Sequence, residues 1–350
     1  MPQFAPEECT FPLLQKAPRI LGFDPEAFFP EWRSALRRTF TQLLGLMPAL
    51  PASLADLQVR IEDDHTTAEF REIRYLFTAE PNCDVPCHLL LPLTPPPAAG
   101  HPLVICLQGH STGMHISLGR AKYPGDEKSI EGDRDFGLQA VRQGYAALVL
   151  EQRGFGERRD QRPSPQRLKS THNCHHATMT ALLLGRTMIG QRAWDVARAI
   201  DTLETFPQID RQRLACMGNS GGGTTTYYAA AFDPRIKIAM PSCAVCTYAD
   251  SIGAIDHCMD NYLPGIMHYM DMADVAALIF PRPLVVVAGA EDHIFPLGGV
   301  REACGIIEQI YREGAKHNPE AGSCRLVVGP GGHRFYADLA WPTFREVSGW

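Results

Sequence analysis

Residues 216–228 read CMGNSGGGTTTYY. Gly221, Gly222 and Gly223 open an otherwise helix-forming run, and each costs a helix roughly 1 kcal/mol relative to Ala. Something local must require them. The preceding RLACM, residues 213–217, is short and apolar in the manner of a buried strand, so the stretch reads as strand, tight turn and helix. Three phosphate or nucleophile motifs compete for it. The spacing of Gly218 and Gly223 suits a phosphate-cradling loop, but Thr224 stands where that loop needs its lysine, and the phosphate charge goes unmet. The dinucleotide pattern G-x-G-x-x-G needs glycine at the place of Ser220. The pattern G-x-S-x-G is satisfied by Gly218, Ser220 and Gly222, and it supplies a mechanical reason for the glycines. A serine on a strained strand-to-helix turn needs small neighbours on both sides, and the helix N-terminus behind it points unpaired N–H groups at developing negative charge.

Working outward, residues from about 103 onward alternate buried strands with helices. The strands are LVICLQ (103–108), YAALVLE (145–151), RLACMG (213–218), IKIAMPS (236–242), PLVVVAG (283–289) and RLVVG (325–329). Each is continuously apolar, as parallel strands covered on both faces must be. Helical stretches such as 190–206 and 297–314 lie between them, and the repeat implies a doubly wound, mostly parallel α/β sheet with its reactive groups at the carboxyl ends of the strands. Upstream, 70–80 and 85–93 flank the turn PNCD and predict an antiparallel N-terminal hairpin. Earlier still, Trp32, Leu36, Phe40, Leu43 and Leu44 recur at helical spacing, with Gly45 as the stop. The expected organisation is a helical N-terminal extension over 1–68 and a catalytic α/β unit over 69–350, with an insertion around 243–280.

A serine hydroxyl is a weak nucleophile without a positioned base. In this architecture the acid and the histidine follow the serine in chain order. PLVVVAGAEDHIFP presents Asp292 at its strand end, with Glu291 as a solvated neighbour. Of the later histidines, His293 adjoins the acid and His317 lies in a polar loop. His333 follows the last strand behind Gly331 and Gly332, which can bring its ring over Ser220. The oxyanion of acyl transfer needs two donors, expected from the backbone N–H of Gly221 and that of His110, the latter hinged on Gly109.

Whole-chain composition narrows the field. The 33 basic and 39 acidic residues give a formal charge of −6 with no long runs of one sign, which disfavours nucleic acid and anionic membranes. The N-terminal stretch lacks a secretory pattern and no run is long and apolar enough to span a bilayer, so a cytoplasmic protein is expected. The 11 cysteines are scattered without paired CxxC spacing and read as reduced core residues, with a lone bridge among Cys243, Cys246 and Cys258 left open. His172, Cys174, His175 and His176 are metal-binding types, but their spacing matches no familiar zinc pattern. No cofactor or metal is expected; the partner is a small-molecule ester, and a homo-oligomer is compatible with the sequence.

These residues resemble the α/β-hydrolase superfamily over roughly 70–345, and within it the acetyl xylan esterase and cephalosporin C deacetylase group with its dienelactone-hydrolase-like relatives. The resemblance rests on the elbow, on R-G-x-G at Arg153 to Gly156, on WDVARA around Trp194 and Asp195, and on DPRIK at Asp233 to Lys237. It implies an α/β-hydrolase fold and a serine esterase for acetyl or other short-chain acyl esters, working through an acyl-enzyme with Ser220, His333 and Asp292. Two positions depart from the group: Gly221 replaces its usual Gln after the serine, and Arg334 replaces its usual Glu after the histidine. Tyr262, Met267 and Tyr269 in the insertion are expected to line the substrate pocket, the alternative being a flap packed on the core. The rival readings are a peptidase of the prolyl-oligopeptidase type, which an aminoacyl-naphthylamide panel would reveal, and a non-catalytic hydrolase-fold binder, which a fluorophosphonate probe would not label.

Overall fold

The computed structural model describes residues 5–46, 54–160 and 174–350. Across them run β1 (Arg60–Thr66), β2 (Phe70–Glu80), β3 (Cys83–Pro92), β4 (His101–Leu107), β5 (Ala146–Leu150), β6 (Ile209–Asn219), β7 (Ile238–Ser242), β8 (Leu284–Gly289) and β9 (Cys324–Gly329). They form one sheet in the order β1-β2-β3-β5-β4-β6-β7-β8-β9. Pairing is antiparallel from β1 through β3 to β5, and parallel from β5 through β4 to β9. The strand order reverses around β4, which places a crevice at the carboxyl ends of β4 and β6. Leu107 pairs with Gly218 there, so the loop after β4 and the turn after β6 leave the sheet side by side.

The central strands are buried along their whole length, as their unbroken apolar runs require. β1 is the opposite case. All seven of its residues, RIEDDHT, are exposed, and its charges blunt the sheet edge. The polar sequence of β1 carries no apolar alternation, so the helical extension expected over 1–68 did not include it.

Helices cover both faces: α1 (Glu7–Gln15), α2 (Phe29–Leu43), α3 (Phe136–Arg142), α4 (His175–Leu183), α5 (Met188–Thr202), α6 (Gly221–Phe232), α7 (Met272–Ile279), α8 (Leu297–Ala315) and α9 (Ala337–Ser348). One apolar cluster joins α2, α5, α6, α7 and α8 to the sheet, while Phe136, Trp341 and Phe344 belong to a second. The amphipathic stripe of α2 explains its place, because Phe29, Trp32, Leu36 and Phe40 enter the first cluster. Its polar side is engaged as well: Arg33 Nε donates to Ala277 O (2.7 Å) at the C-terminal end of α7, where a cation meets the negative end of the helix dipole.

The insertion after β7 is packed on that same core. Val245, Tyr248, Ile252, Leu263 and Met270 are all buried within it. None of the eleven cysteines forms a disulfide. Among the described residues, no helix is long and apolar enough to cross a membrane.

Candidate active site

β6 ends at Asn219 and α6 begins at Gly221, leaving Ser220 alone on the turn with φ 57° and ψ −125°. L-residues rarely adopt that conformation, so the surroundings must impose it. The Ser220 N–H donates to Ser242 O at the end of β7 (2.9 Å), and the Thr224 N–H closes the first helical turn on Ser220 O (2.8 Å). The glycines answer to close backbone approach. A Cβ on Gly222 would stand 2.1 Å from Leu107 O, and one on Gly218 would stand 2.5 Å from the same oxygen. The elbow is wedged against the end of β4.

The acid and histidine follow β8 and β9, beyond β7 from the elbow. Asp292 follows β8 and is 4% exposed. Its Oδ1 accepts the N–H groups of Ile294 (2.9 Å) and Phe295 (3.2 Å), and its Oδ2 lies 2.8 Å from His333 Nδ1. Burial works against its ionisation, yet the bond and charge of His333 together with the two amides hold its pKa below the ordinary carboxylate value. The loop that carries His333 crosses the end of β8 tightly: a Cβ on Gly289 would stand 2.1 Å from Gly332 O. His333 stacks on Phe295 with ring centroids 6.0 Å apart, and its Nε2 is buried with no hydrogen-bond partner among the described residues. That nitrogen makes no bond to Ser220 in this conformation; such contacts often tighten only when substrate is bound. Cys243, directly after Ser242, links the two halves of the site, since its Sγ and the ligand atoms of Asp292 and His333 lie within 4.8 Å of one another. Glu291 and His293 are exposed beside the acid, and His317 is exposed against Phe28 and Phe29, away from it.

On the other flank of Ser220 stands His110. Its ring packs on the elbow, since a Cβ on Gly221 would lie 2.9 Å from both its Cε1 and its Nδ1. Nε2 lies 3.0 Å from each oxygen of Asp260. Arg192 Nη2 reaches the same carboxylate at 2.7 Å, and both of these side chains are wholly buried. The ring of Phe155 lies edge-on to His110 at 4.8 Å and under the Arg192 guanidinium at 4.2 Å. His257 stands close to both imidazoles. Burial, helped by its His110 and His333 neighbours, pushes its pKa below the ordinary imidazole value.

Glu151, at the end of β5, braces the loop after β4. Its carboxylate accepts Gln108 Nε2 (2.6 Å) and the Met114 N–H (3.1 Å). Burial, opposed by the N–H groups of Met114 and Glu157, pushes its pKa up to about 7. Farther back, Arg153 of the R-G-x-G stretch grips Asp195 of α5 with Nε at 2.8 Å and Nη2 at 2.7 Å, and Arg158 adds a third contact at 2.7 Å. Asp260, Arg192, Glu151 and His257 were not singled out from sequence. Only Arg192 and Glu151 carried a signal, each being a charge inside a run that must be buried.

The three residues expected to line the pocket are placed elsewhere. Tyr262 and Met267 face a cavity of about 1100 Å³ whose other wall is the α1 segment, and neither Ser220 nor His333 lines it. Tyr269 is partly buried against the main core. The insertion turns these side chains toward the N-terminal segment because its own apolar residues are consumed by the core. Of the four metal-type residues, His172 falls outside the described residues, and His175 and His176 are exposed at the start of α4. Cys174 instead joins His110 and Asp260 within 4.8 Å. A metal ion there would press against the buried guanidinium of Arg192, so the donor set does not suit one.

A smaller cavity of about 390 Å³ opens beside the loop after β4. Thr112, His115, Arg120, Glu151 and Glu157 are among the polar side chains that line it.

Comparison with known proteins follows the fold. The protein YtaP of Bacillus subtilis (strain 168) is 26% identical over 211 residues, 59% of this chain and 65% of YtaP, so this chain spans less than two thirds of that relative. A glucuronoyl esterase from Solibacter usitatus superposes with a TM-score of 0.69 at 14% identity, covering 99% of this chain and 98% of that one. An acetyl xylan esterase from Paenibacillus sp. R4 gives 0.61 at 17% identity, covering 97% and 99%. At such identities the two structures speak for the fold alone. The model of the Abhydrolase family matches residues 20–319, most of the chain. With its sheet order, its strained Ser220 turn and that match, the chain belongs to the Abhydrolase family.

Proposed function

We infer that the protein is a serine carboxylic-ester hydrolase that works through an acyl-enzyme. The observation that carries this reading is the arrangement of one imidazole: His333 is anchored through Nδ1 to Asp292 and keeps a buried, unpartnered Nε2 at the sheet edge that bears Ser220. Ser220 Oγ attacks the ester carbonyl while His333 Nε2 takes its proton. The carbonyl oxygen, now an anion, is met by the Gly221 and His110 amides, and collapse expels the alcohol, which takes the proton back from His333. Water repeats the cycle to release the acid.

The names of similar proteins favour an ester of a carbohydrate, either acetyl on sugar or a uronate ester, since they include a 4-O-methyl-glucuronoyl methylesterase from Phanerochaete chrysosporium and the two esterases above. Eleven cysteines without a disulfide support a reducing, cytoplasmic compartment.

Purified protein should hydrolyse p-nitrophenyl acetate and take up a fluorophosphonate label at Ser220. Ser220→Ala should lose both, with turnover down by at least about a thousandfold and the circular dichroism unchanged. Equal turnover by the variant would reject the reading.

A further inference from the structure

We propose that the side chain of His110, docked on the buried Asp260–Arg192 pair, is a catalytic group that donates from Nδ1 to the oxyanion beside the Gly221 amide. This rests on the esterase reading and adds to it a second His–Asp pair on the opposite flank of the nucleophile.

Position is the first support. Gly109 lies so close to the elbow that a Cβ on it would stand 3.1 Å from Ser220 Cβ, and the ring of the next residue covers Gly221. The two ring nitrogens are assigned by their surroundings. Nε2 is held between both oxygens of Asp260, which leaves Nδ1 and Cε1 as the edge turned to Gly221. The glycine at 221 therefore leaves the space that the His110 ring fills.

Charge is the second support. Asp260 and Arg192 are a fully buried ion pair, and burying two charges carries a desolvation cost that a pair kept only for stability has no need to bear. Arg192 already neutralises Asp260, so a protonated His110 gives the cluster a net positive charge. Among the described residues, the groups facing His110 from its neighbouring segments are Asp260, Arg192, Cys174, Cys258 and His257. Cys174 stays a thiol, since burial raises its pKa, and His257 stays neutral. No anion among them balances the extra charge. Although burial opposes it, Asp260 draws the His110 pKa well above the ordinary imidazole value. The balancing anion is the one the reaction makes: as Ser220 Oγ bonds to the carbonyl carbon, the π electron pair moves to oxygen and accepts the Nδ1–H of His110. His110 keeps its proton throughout, and the mobile proton stays with His333.

The phenyl ring of Phe155 fixes this geometry from outside. It touches the edge of His110 and stacks under Arg192, so neither side chain can swing clear of Asp260.

The test measures kcat and KM for p-nitrophenyl acetate from about pH 5 to about pH 10 in wild type, His110→Ala, His110→Gln and Asp260→Asn. The backbone N–H of residue 110 survives in all of them. For both His110 variants kcat should fall about a hundredfold with KM little changed, as for loss of an oxyanion donor. In Asp260→Asn the alkaline limb of the kcat profile should move down by at least about one pH unit, because an imidazole without its carboxylate deprotonates earlier. His110→Gln, whose amide can still bond Asp260, separates the charge from the packing if the alanine variant folds poorly. A kcat within about twofold of wild type in a folded His110→Gln, or an unmoved alkaline limb in Asp260→Asn, overturns the proposal while leaving the esterase reading intact. A wild type that neither turns over the ester nor takes the fluorophosphonate overturns both.

Discussion

His333 Nδ1 lies 2.8 Å from Asp292 Oδ2, while the other oxygen of that carboxylate is held by the amides of Ile294 and Phe295. The acid is thus fixed by its own turn before it fixes the histidine. Asp292→Asn keeps the shape but cannot accept the Nδ1–H in the same way, and it should lower kcat about a thousandfold or more. The wild-type pair also has a pH signature. Its carboxyl pKa is depressed in the fold, so its stabilisation is present above the unfolded value of about 3.9 and is lost as pH falls through the lower folded value. Acid unfolding of Asp292→Asn should lack that component.

The grip of Arg153 on Asp195, with Arg158 as a third member, sits wholly inside the protein. Removing the acid takes from two buried guanidinium groups the carboxylate they share, leaving Arg153 with Glu80 and Gln191 and Arg158 with the carbonyl of Glu151. Asp195→Ala should cost about 3 to 5 kcal/mol in urea unfolding, far more than an exposed ion pair would. A loss under about 1 kcal/mol would show that solvent reaches the site.

Gly222 is enclosed by the end of β4, with Leu107 O and Gln108 O at 2.1 and 2.5 Å from the place a Cβ would take. Both are backbone atoms that cannot step aside without bending the strand. Gly222→Ala should therefore destabilise the protein by roughly 3 kcal/mol and displace Ser220 enough to slow acylation. Gly298→Ala, where a Cβ meets nothing within 4 Å, is the control and should leave both properties near wild type.

Glu151 braces the loop after β4 with a carboxyl whose pKa burial pushes up to about 7. A carboxyl with a raised folded pKa contributes its full stabilisation below the unfolded value of about 4.3, and loses it as pH rises through about 7. Wild-type stability should decline across that window relative to Glu151→Gln, which imitates the protonated form, by on the order of 3 kcal/mol. Parallel curves for the two proteins would mean that the carboxyl ionises over the same pH range folded and unfolded.

Part of this protein was determined by its sequence alone. The unbroken apolar runs force strands buried on both faces, hence a parallel sheet with helices over it. Ser220 between glycines could be read because its reason is local: backbone approach forbids a Cβ at the flanking positions. Chain order then leads to Asp292 and His333, each directly behind a strand end. The edge strand at 60–66 escaped because a solvent-exposed strand needs no apolar pattern. The fate of 243–280 was a matter of tertiary packing, since Met and aromatic side chains suit a core as well as a pocket, and here the core claimed most of them. The second pair, His110 with Asp260 and Arg192, lies beyond any local pattern. Its members are far apart in the chain, and only the folding of the insertion and of α5 against the β4 loop brings a carboxylate, a guanidinium and an imidazole into one buried cluster. Local rules tie a residue to its own turn or strand, whereas the energy of a buried charge depends on whatever the rest of the chain delivers to its side.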